Sequence, residues 1–490
     1  MPARKKELDF LTRLRIRELV LMGLIALTAL LANLPEEYVR SHLGVSPEML
    51  LAVLAIAVIV GLFLYLKFFF FVAVVLLIAG AEIFLVIGIP AVFAKHVFHP
   101  HMPDLIIGQR VVGGVEVVTL LAIPFFVFAS DLMARGRMAA QLADLFRALV
   151  GHYRGGIGHS TVVTCMVFGA AAGSAPATVA AMGRLSFPEL KRAGFSEKFS
   201  LGLIASSAEC ALLIPPSITF VVYSWLTGTS IAALFAAGLV IGIVLGLAFM
   251  VLVALEAWRV GAAVGERHSG AAQWRAFRAA FWALLMQVIL LVGIFSGVFT
   301  ATEAAAVSVV YAIGVEVLIF RALGWREVFD IARDSAISTG VIFILLAMGA
   351  LLAYFITLSG LDHKVIALVR QIGVNWIVFM LIVNVVFLVC AMFLDPNSIM
   401  VIFLPTLFPI ATALGIDPVH FGMVVTLNVC TGMITPPLGL DLAVAASTLN
   451  RPMEAVVAGI WPFIVTNVVV LILISYIPPL STFLPKIFGV

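Results

Sequence analysis

Residues 157–188 read IGHSTVVTCMVFGAAAGSAPATVAAMGRLSFP, an apolar stretch interrupted near its middle by Gly-Ser-Ala-Pro-Ala-Thr at 173–178. A proline inside a helix removes an amide donor and clashes with the preceding turn. The backbone groups freed there are tolerated at membrane depth only where they are buried in protein or line a cavity. The stretch 375–412 follows the same plan, with Asp-Pro-Asn-Ser at 395–398 as its interruption. Both stretches read as re-entrant hairpins that enter the membrane and return, not as crossings.

Around these hairpins the chain is a succession of long apolar runs. Of its 490 residues 63% are hydrophobic and 11% charged, and the mean hydropathy is +1.19. A soluble domain carries roughly 25% charged residues, so a soluble enzyme, a nucleic-acid binder and a disordered scaffold are excluded. The runs are continuous rather than alternating, which fits helical spans of ~20 residues and not a β-barrel. Eleven crossings are expected, at about 18–34, 49–66, 68–94, 115–133, 199–228, 231–257, 279–299, 302–320, 336–357, 418–449 and 455–483. Arg4, Lys5, Lys6, Arg13, Arg15 and Arg17 precede the first, which reads as a retained signal anchor. With the N-terminus cytoplasmic and the C-terminus periplasmic, only Arg40, Lys95, Arg110, Lys364, Arg370 and Lys486 of the 29 basic residues fall outside, the asymmetry expected of this orientation. Cys165, Cys210, Cys390 and Cys430 all lie in apolar segments without a CxxC pair and read as packing residues.

Helix-breaking residues recur at a fixed offset of 221. Phe187-Pro188 matches Phe408-Pro409, Gly194 matches Gly415, Pro215-Pro216 matches Pro436-Pro437, and Ser174 falls on Asp395. The chain then divides into an N-terminal extension with two spans (1–70), a first repeat (71–257, hairpin 157–188, broken helix 199–228), a connecting segment with one span (258–301) and a second repeat (302–490, hairpin 375–412, broken helix 418–449). Five crossings separate equivalent points, so the second repeat is inverted. The fold class is an all-α polytopic membrane protein with an inverted structural repeat, two re-entrant hairpins and two broken transmembrane helices. Such repeats with interrupted helices mark secondary transporters. Ahead of each hairpin lies an amphipathic segment, with Met138, Leu142, Leu145 and Leu149 on one face of 136–151 and Leu361, Val365 and Leu368 on one face of 361–370. Each is an arm along the membrane interface or a simple linker helix.

The two hairpin tips and the two Pro-Pro breaks are expected to converge. Unwound carbonyls suit Na⁺, and half-helix N-termini suit a carboxylate. Candidate binding residues are Ser174, Ala175, Thr178, Pro215 and Ser217, with Ser206 and Ser207, in the first half. In the second half they are Asp395, Asn397, Ser398, Thr431, Thr435 and Pro436, with Asn428. Acidic groups at membrane depth are costly and therefore functional suspects. Asp395 reads as cation chemistry or a helix cap, Glu209 as a Na⁺ or H⁺ coupling residue or a buried hydrogen-bonded one, and Asp441 as a site residue or a cap. Glu303 reads as a helix N-terminal charge, and Glu316 as interface packing.

Five stretches bear a resemblance to a known family: GSAPATVAAMG (173–183), LIPPS (213–217), GVFTATEAAA (297–306), FLDP (393–396) and TPPLGLD (435–441). They resemble the large membrane (permease) subunit of tripartite ATP-independent periplasmic (TRAP) transporters, in the ion transporter superfamily, over about 75–485. The resemblance implies an elevator-type importer of an organic acid, C4-dicarboxylate-like or another carboxylate, with Na⁺ as coupling ion and no other cofactor. It implies a small membrane subunit of about four helices, a periplasmic substrate-binding protein, the bacterial inner membrane, and no nucleic acid. It carries one Na⁺ to the first hairpin with the 215–217 break and another to the second hairpin with the 435–437 break. Ser174, Asp395 and Thr435 are the positions it supports most. Glu209, in Ala-Glu-Cys at 208–210, departs from the small or apolar residues usual there, and the two spans of 1–70 are an addition. A stand-alone organic-anion symporter or exchanger of the same architecture is the alternative within the transporter class. A membrane enzyme on lipid-linked substrates would need a catalytic pair at membrane depth, and the sequence supplies none.

Overall fold

The computed structural model describes residues 75–489 apart from 77, 78, 100, 263, 266 and 267. The expected spans at 18–34 and 49–66, and the whole extension 1–70, lie outside the described residues. Every regular element among the described residues is helical, with one isolated bridge between Arg154 and Val264. Among the described residues seven helices are long and apolar enough to cross a membrane, including Val118–Arg135, Ile231–Val260, Gly270–Phe295 and Met453–Tyr476. An eighth candidate is the pair Glu197–Leu213 and Ile218–Thr227, bent by 43° at the first Pro-Pro break.

Two compact units emerge from the packing. One joins the described residues up to Val111 with Met348–Val378. Its centre is Ala91, Leu351 and Phe355, with the Arg110 guanidinium 3.9 Å over the Tyr354 ring and Lys95 paired with Asp104. The helix Leu361–Ile372, the expected second arm, belongs to this unit. The other unit, Val112–Ala347 with Phe379–Val490, holds both tips and both breaks.

In the larger unit the offset of 221 reappears as helix geometry. Ala175–Arg192 and Pro396–Ala413 begin and end at matching positions, and Ser174 and Asp395 cap them. Glu197–Ser207 and Pro418–Met433 start at matching positions behind the caps Ser196 and Asp417. A cap side chain accepts from an amide that the first helical turn leaves without a partner, so short polar residues at these sites fix where each helix begins. Both Pro-Pro peptide bonds are cis. The packing is interlaced. Ala175–Arg192 lies on Leu440–Thr448, and Pro396–Ala413 lies on Ile218–Thr227, each hairpin limb covering the broken span of the other half.

The first expected arm forms the helix Met138–Val150. It packs on both Gly156–Ala172 and Gly270–Phe295, so its buried face is wider and differently centred than the apolar stripe. Ala139, Ala143 and Ala148 join Met138, Leu142 and Leu145 inside, whereas Leu149 is 41% exposed. Glu316 corrects a second expectation. It is fully buried, and its carboxylate accepts from the backbone N–H groups of Arg137 and Met138 at 2.9 Å. A charge-assisted cap on the Met138–Val150 helix replaces interface packing because a carboxylate at a helix N-terminus satisfies orphan donors and complements the dipole. Glu303 closes a capping box with Thr300, as its position after Thr-Ala-Thr suggests.

Candidate functional site

The first tip is a turn that only a small residue can make. Gly173 has φ +58, in the region open chiefly to glycine, and a Cβ there would stand 3.1 Å from the Pro216 carbonyl oxygen. The turn therefore rests directly on the first break. Ser174 caps the following limb, accepting from the Ala177 N–H at 3.5 Å. Thr178 donates to the Ser174 carbonyl at 2.9 Å, above a buried Ala175.

Across from this tip the broken span runs Glu197–Ser207, Cys210–Leu213, an extended Ile214, the cis pair Pro215-Pro216 and then Ile218–Thr227. Consecutive prolines supply no N–H, so helix-end carbonyls before them lose their usual donors. Ser217 occupies the cap position of Ile218–Thr227 yet makes no cap bond. Its hydroxyl is fully buried and without a partner. The hydroxyls of Ser206 and Ser207 are in the same condition.

Asp395 occupies the second tip. It accepts from the N–H groups of Asn397 and Ser398 at 3.1 and 3.2 Å, and from the Ser398 hydroxyl. The Asn397 side-chain amide oxygen is buried and unpartnered. The second break follows Pro418–Met433, where Thr431 and Thr435 donate back to the carbonyls of Leu427 and Thr431 at 2.8 and 2.6 Å. Such bonds leave both hydroxyl lone pairs open as acceptors. Tip and break meet again here, because the Gly439 N–H donates to the Met392 carbonyl at 3.2 Å. Gly439 has φ +50, and a Cβ would stand 2.9 Å from the Met433 carbonyl oxygen. Whereas Pro215 and Pro216 are buried, Pro436 is half-buried and Pro437 exposed, so the second break opens to the surface and the first does not.

The remaining acidic candidates lie together. Glu209, fully buried, accepts from the Asn467 side-chain amide at 2.8 Å. Asp441 is fully buried and neither of its carboxylate oxygens has a partner. The helix Leu440–Thr448 has no side-chain cap, so Asp441 does not act as one. Oxygen without donors is thus concentrated at the breaks and tips. Buried polar atoms are ordinarily paired, and exceptions call for an ion, a ligand or a proton.

A family model described as the tripartite ATP-independent periplasmic transporter DctM component matches residues 48–480. The chain belongs to this family. The large permease protein of the C4-dicarboxylate TRAP transporter of Pseudomonas aeruginosa is 39% identical over 375 residues, 76% of this chain and 88% of that protein. The ectoine/5-hydroxyectoine large permease of Ruegeria pomeroyi is 35% identical, covering 77% of this chain and 88% of that one. The sialic acid large permease of Vibrio cholerae is 32% identical, covering 78% and 89%. A crystal structure of the Alcanivorax borkumensis YdaH transporter has a TM-score of 0.57 at 14% identity, over 75% of this chain and 86% of that one, a likeness of fold. This DctM-family chain is a multi-pass membrane transport protein and not an enzyme.

Asn467 is the site residue that sequence reasoning passed over. A single amide in the apolar helix Met453–Tyr476 was the available signal, and its partner Glu209 lies 258 positions away. The amides Asn384 and Asn428, joined at 2.7 Å, form a second buried polar contact beside the second break.

Proposed function

We propose that this chain is the permease subunit through which an organic acid, a C4-dicarboxylate or another carboxylate, is imported across the bacterial inner membrane with a Na⁺ gradient. A periplasmic binding protein delivers the substrate, and a small membrane subunit of about four helices completes the transporter. The N-terminus is cytoplasmic and the C-terminus periplasmic. The observation that carries the reading is the pairing of each hairpin tip with a cis Pro-Pro break lined by oxygen atoms that lack donors. One Na⁺ is held by the carbonyls around Pro215 with the hydroxyls of Ser174 and Ser217. A second is held by the carbonyls around Pro436 with Thr431, Thr435 and Asp395. Hard cations take oxygen ligands of this kind.

The tip residues Ala175, Thr178, Asn397 and Ser398 begin helices whose N-termini favour an anionic group. A substrate carboxylate is held between the tips, and its charge offsets that of the two cations. An elevator movement of the tips and breaks then carries the load across. The test is uptake into proteoliposomes of this chain with its small subunit and binding protein, using a succinate, ectoine and sialic acid panel. Uptake of one of them that requires all three proteins and an inward Na⁺ gradient supports the reading. Uptake that persists after the gradient is collapsed, or that needs no binding protein, overturns it.

A further inference from the structure

Glu209, Asp441 and Asn467 form a buried cluster that the two cation sites do not use. Glu209 immediately precedes the short helix Cys210–Leu213 of one broken span, Asp441 lies in the first turn of the last part of the other, and Asn467 sits mid-way along Met453–Tyr476. All three are fully buried. Asp441 lies within electrostatic reach of Glu209, and both reach the Cys430 thiol. The titratable groups facing the pair are thiols: Cys210 on its own span, Cys430 on Pro418–Met433 and, behind Cys210, Cys165 on Gly156–Ala172. Among the described residues no Lys, Arg or His pairs with either carboxyl.

Four oxygen atoms of the cluster lack a donor: Glu209 Oε1, Asp441 Oδ1 and Oδ2, and Asn467 Oδ1. Asn467 is not acidic, its amide nitrogen is already committed to Glu209 Oε2, and its own oxygen is a further buried acceptor without a donor. Two bare carboxylates in such a place would cost far more than folding can return. A single monovalent ion would leave one negative charge. Two protons, one on each carboxyl, bring the charge to zero and turn two of the four orphan acceptors into donors. Charge neutrality therefore falls at two protons.

We propose that Glu209 and Asp441 form a proton-binding pair, loaded while the second break lacks a cation and discharged when Na⁺ binds there. The proposal rests on the Na⁺ sites described above. Asp441 lies four residues beyond Pro437 on the same short connection, past Leu438 and Leu440, which are 56% and 42% exposed. A cation at the break favours the ionised carboxylate, and the exposed connection gives the proton its exit. Na⁺ uptake at this break is thereby exchanged for a proton.

The experiment uses the full chain in weakly buffered detergent micelles with a pH-indicator dye. A NaCl pulse is expected to release at least one proton per chain, a choline chloride pulse none, and the isosteric variants E209Q and D441N less than half the wild-type yield. Thermal stabilisation by NaCl, measured in parallel, reports the cation sites separately. Stabilisation without proton release in the wild type overturns the exchange and leaves the Na⁺ reading standing. Absence of stabilisation overturns the Na⁺ reading and the exchange with it, and the pair itself is then judged by infrared spectroscopy of the wild type at neutral pH. A neutral carboxylic-acid carbonyl band supports it, and no such band overturns it, including where a variant fails to fold.

Discussion

The thiol of Cys430 meets the carbonyl oxygen of Glu209, Sγ to O 3.9 Å, and the two residues are 221 positions apart. That is the offset that separates the two cis Pro-Pro pairs and the two capped hairpin limbs. A residue touching its own counterpart is what a two-fold relation produces near its axis, as at an isologous interface between identical subunits. The carboxyl cluster of Glu209 and Asp441 therefore sits beside the contact between matching positions of the two halves.

Removing a break hydroxyl should weaken cation binding without unfolding the protein. Ser217→Ala deletes an oxygen that no protein donor satisfies, and Thr435→Val deletes one whose proton is already committed to Thr431. For each, the Na⁺ concentration giving half-maximal uptake is expected to rise about tenfold, equivalent to about 1.4 kcal/mol, with the melting temperature little changed. An unaltered Na⁺ dependence would show that neither hydroxyl touches the ion.

Glu316→Ala should loosen the Met138–Val150 helix at its start. Two backbone N–H groups that now share one carboxylate would be left without it inside the protein, at a cost of about 2–3 kcal/mol. Hydrogen exchange should accelerate at 137–141 ahead of the rest of the chain, and Glu316→Gln should show a smaller effect because it keeps an acceptor.

Tyr223→Phe tests the contact between the two broken spans. The Tyr223 hydroxyl donates to the Pro418 carbonyl at 2.7 Å, and the ring is fully buried. Loss of about 1 kcal/mol is expected in detergent unfolding, with no change in substrate preference.

Glycine substitutions should separate close approach from helix propensity. A Cβ at Gly432 would come within 2.8 Å of the Ala391 carbonyl carbon and 2.9 Å of its Cα, backbone that has nowhere to go. Gly432→Ala is expected to cost about 1–3 kcal/mol. Gly340, in the long helix Trp325–Leu358, has nothing within 4 Å of its Cβ position. Gly340→Ala is expected to stabilise by about 0.5–1 kcal/mol, and thermal unfolding of the two variants in one detergent makes the comparison.

Membrane class, the interrupted segments and the helix start at Glu303 were legible in the sequence, because each rests on local chemistry. Apolar run length names a span, proline marks a break, and Glu303 after Thr-Ala-Thr announces a helix start. Partnerships across the chain were not legible. Nothing near Glu316 points to Arg137, 179 residues away, and Leu149 looks as apolar as Leu145 until two helices claim the neighbouring face. Asp395 carried both of its readings in the sequence, and its bonds to Asn397 and Ser398 establish the cap.

The interlaced packing also sets a timetable for synthesis. The limb Ala175–Arg192 finds its cover on Leu440–Thr448, which leaves the ribosome some 250 residues later. At roughly 5–20 residues per second the first hairpin waits about 12–50 s in the bilayer without the helix that shields it. Whatever shelters that half-built tip in the interval, whether its own break, a lipid or an insertion factor, is as much a requirement of this fold as the residues that finally close over it.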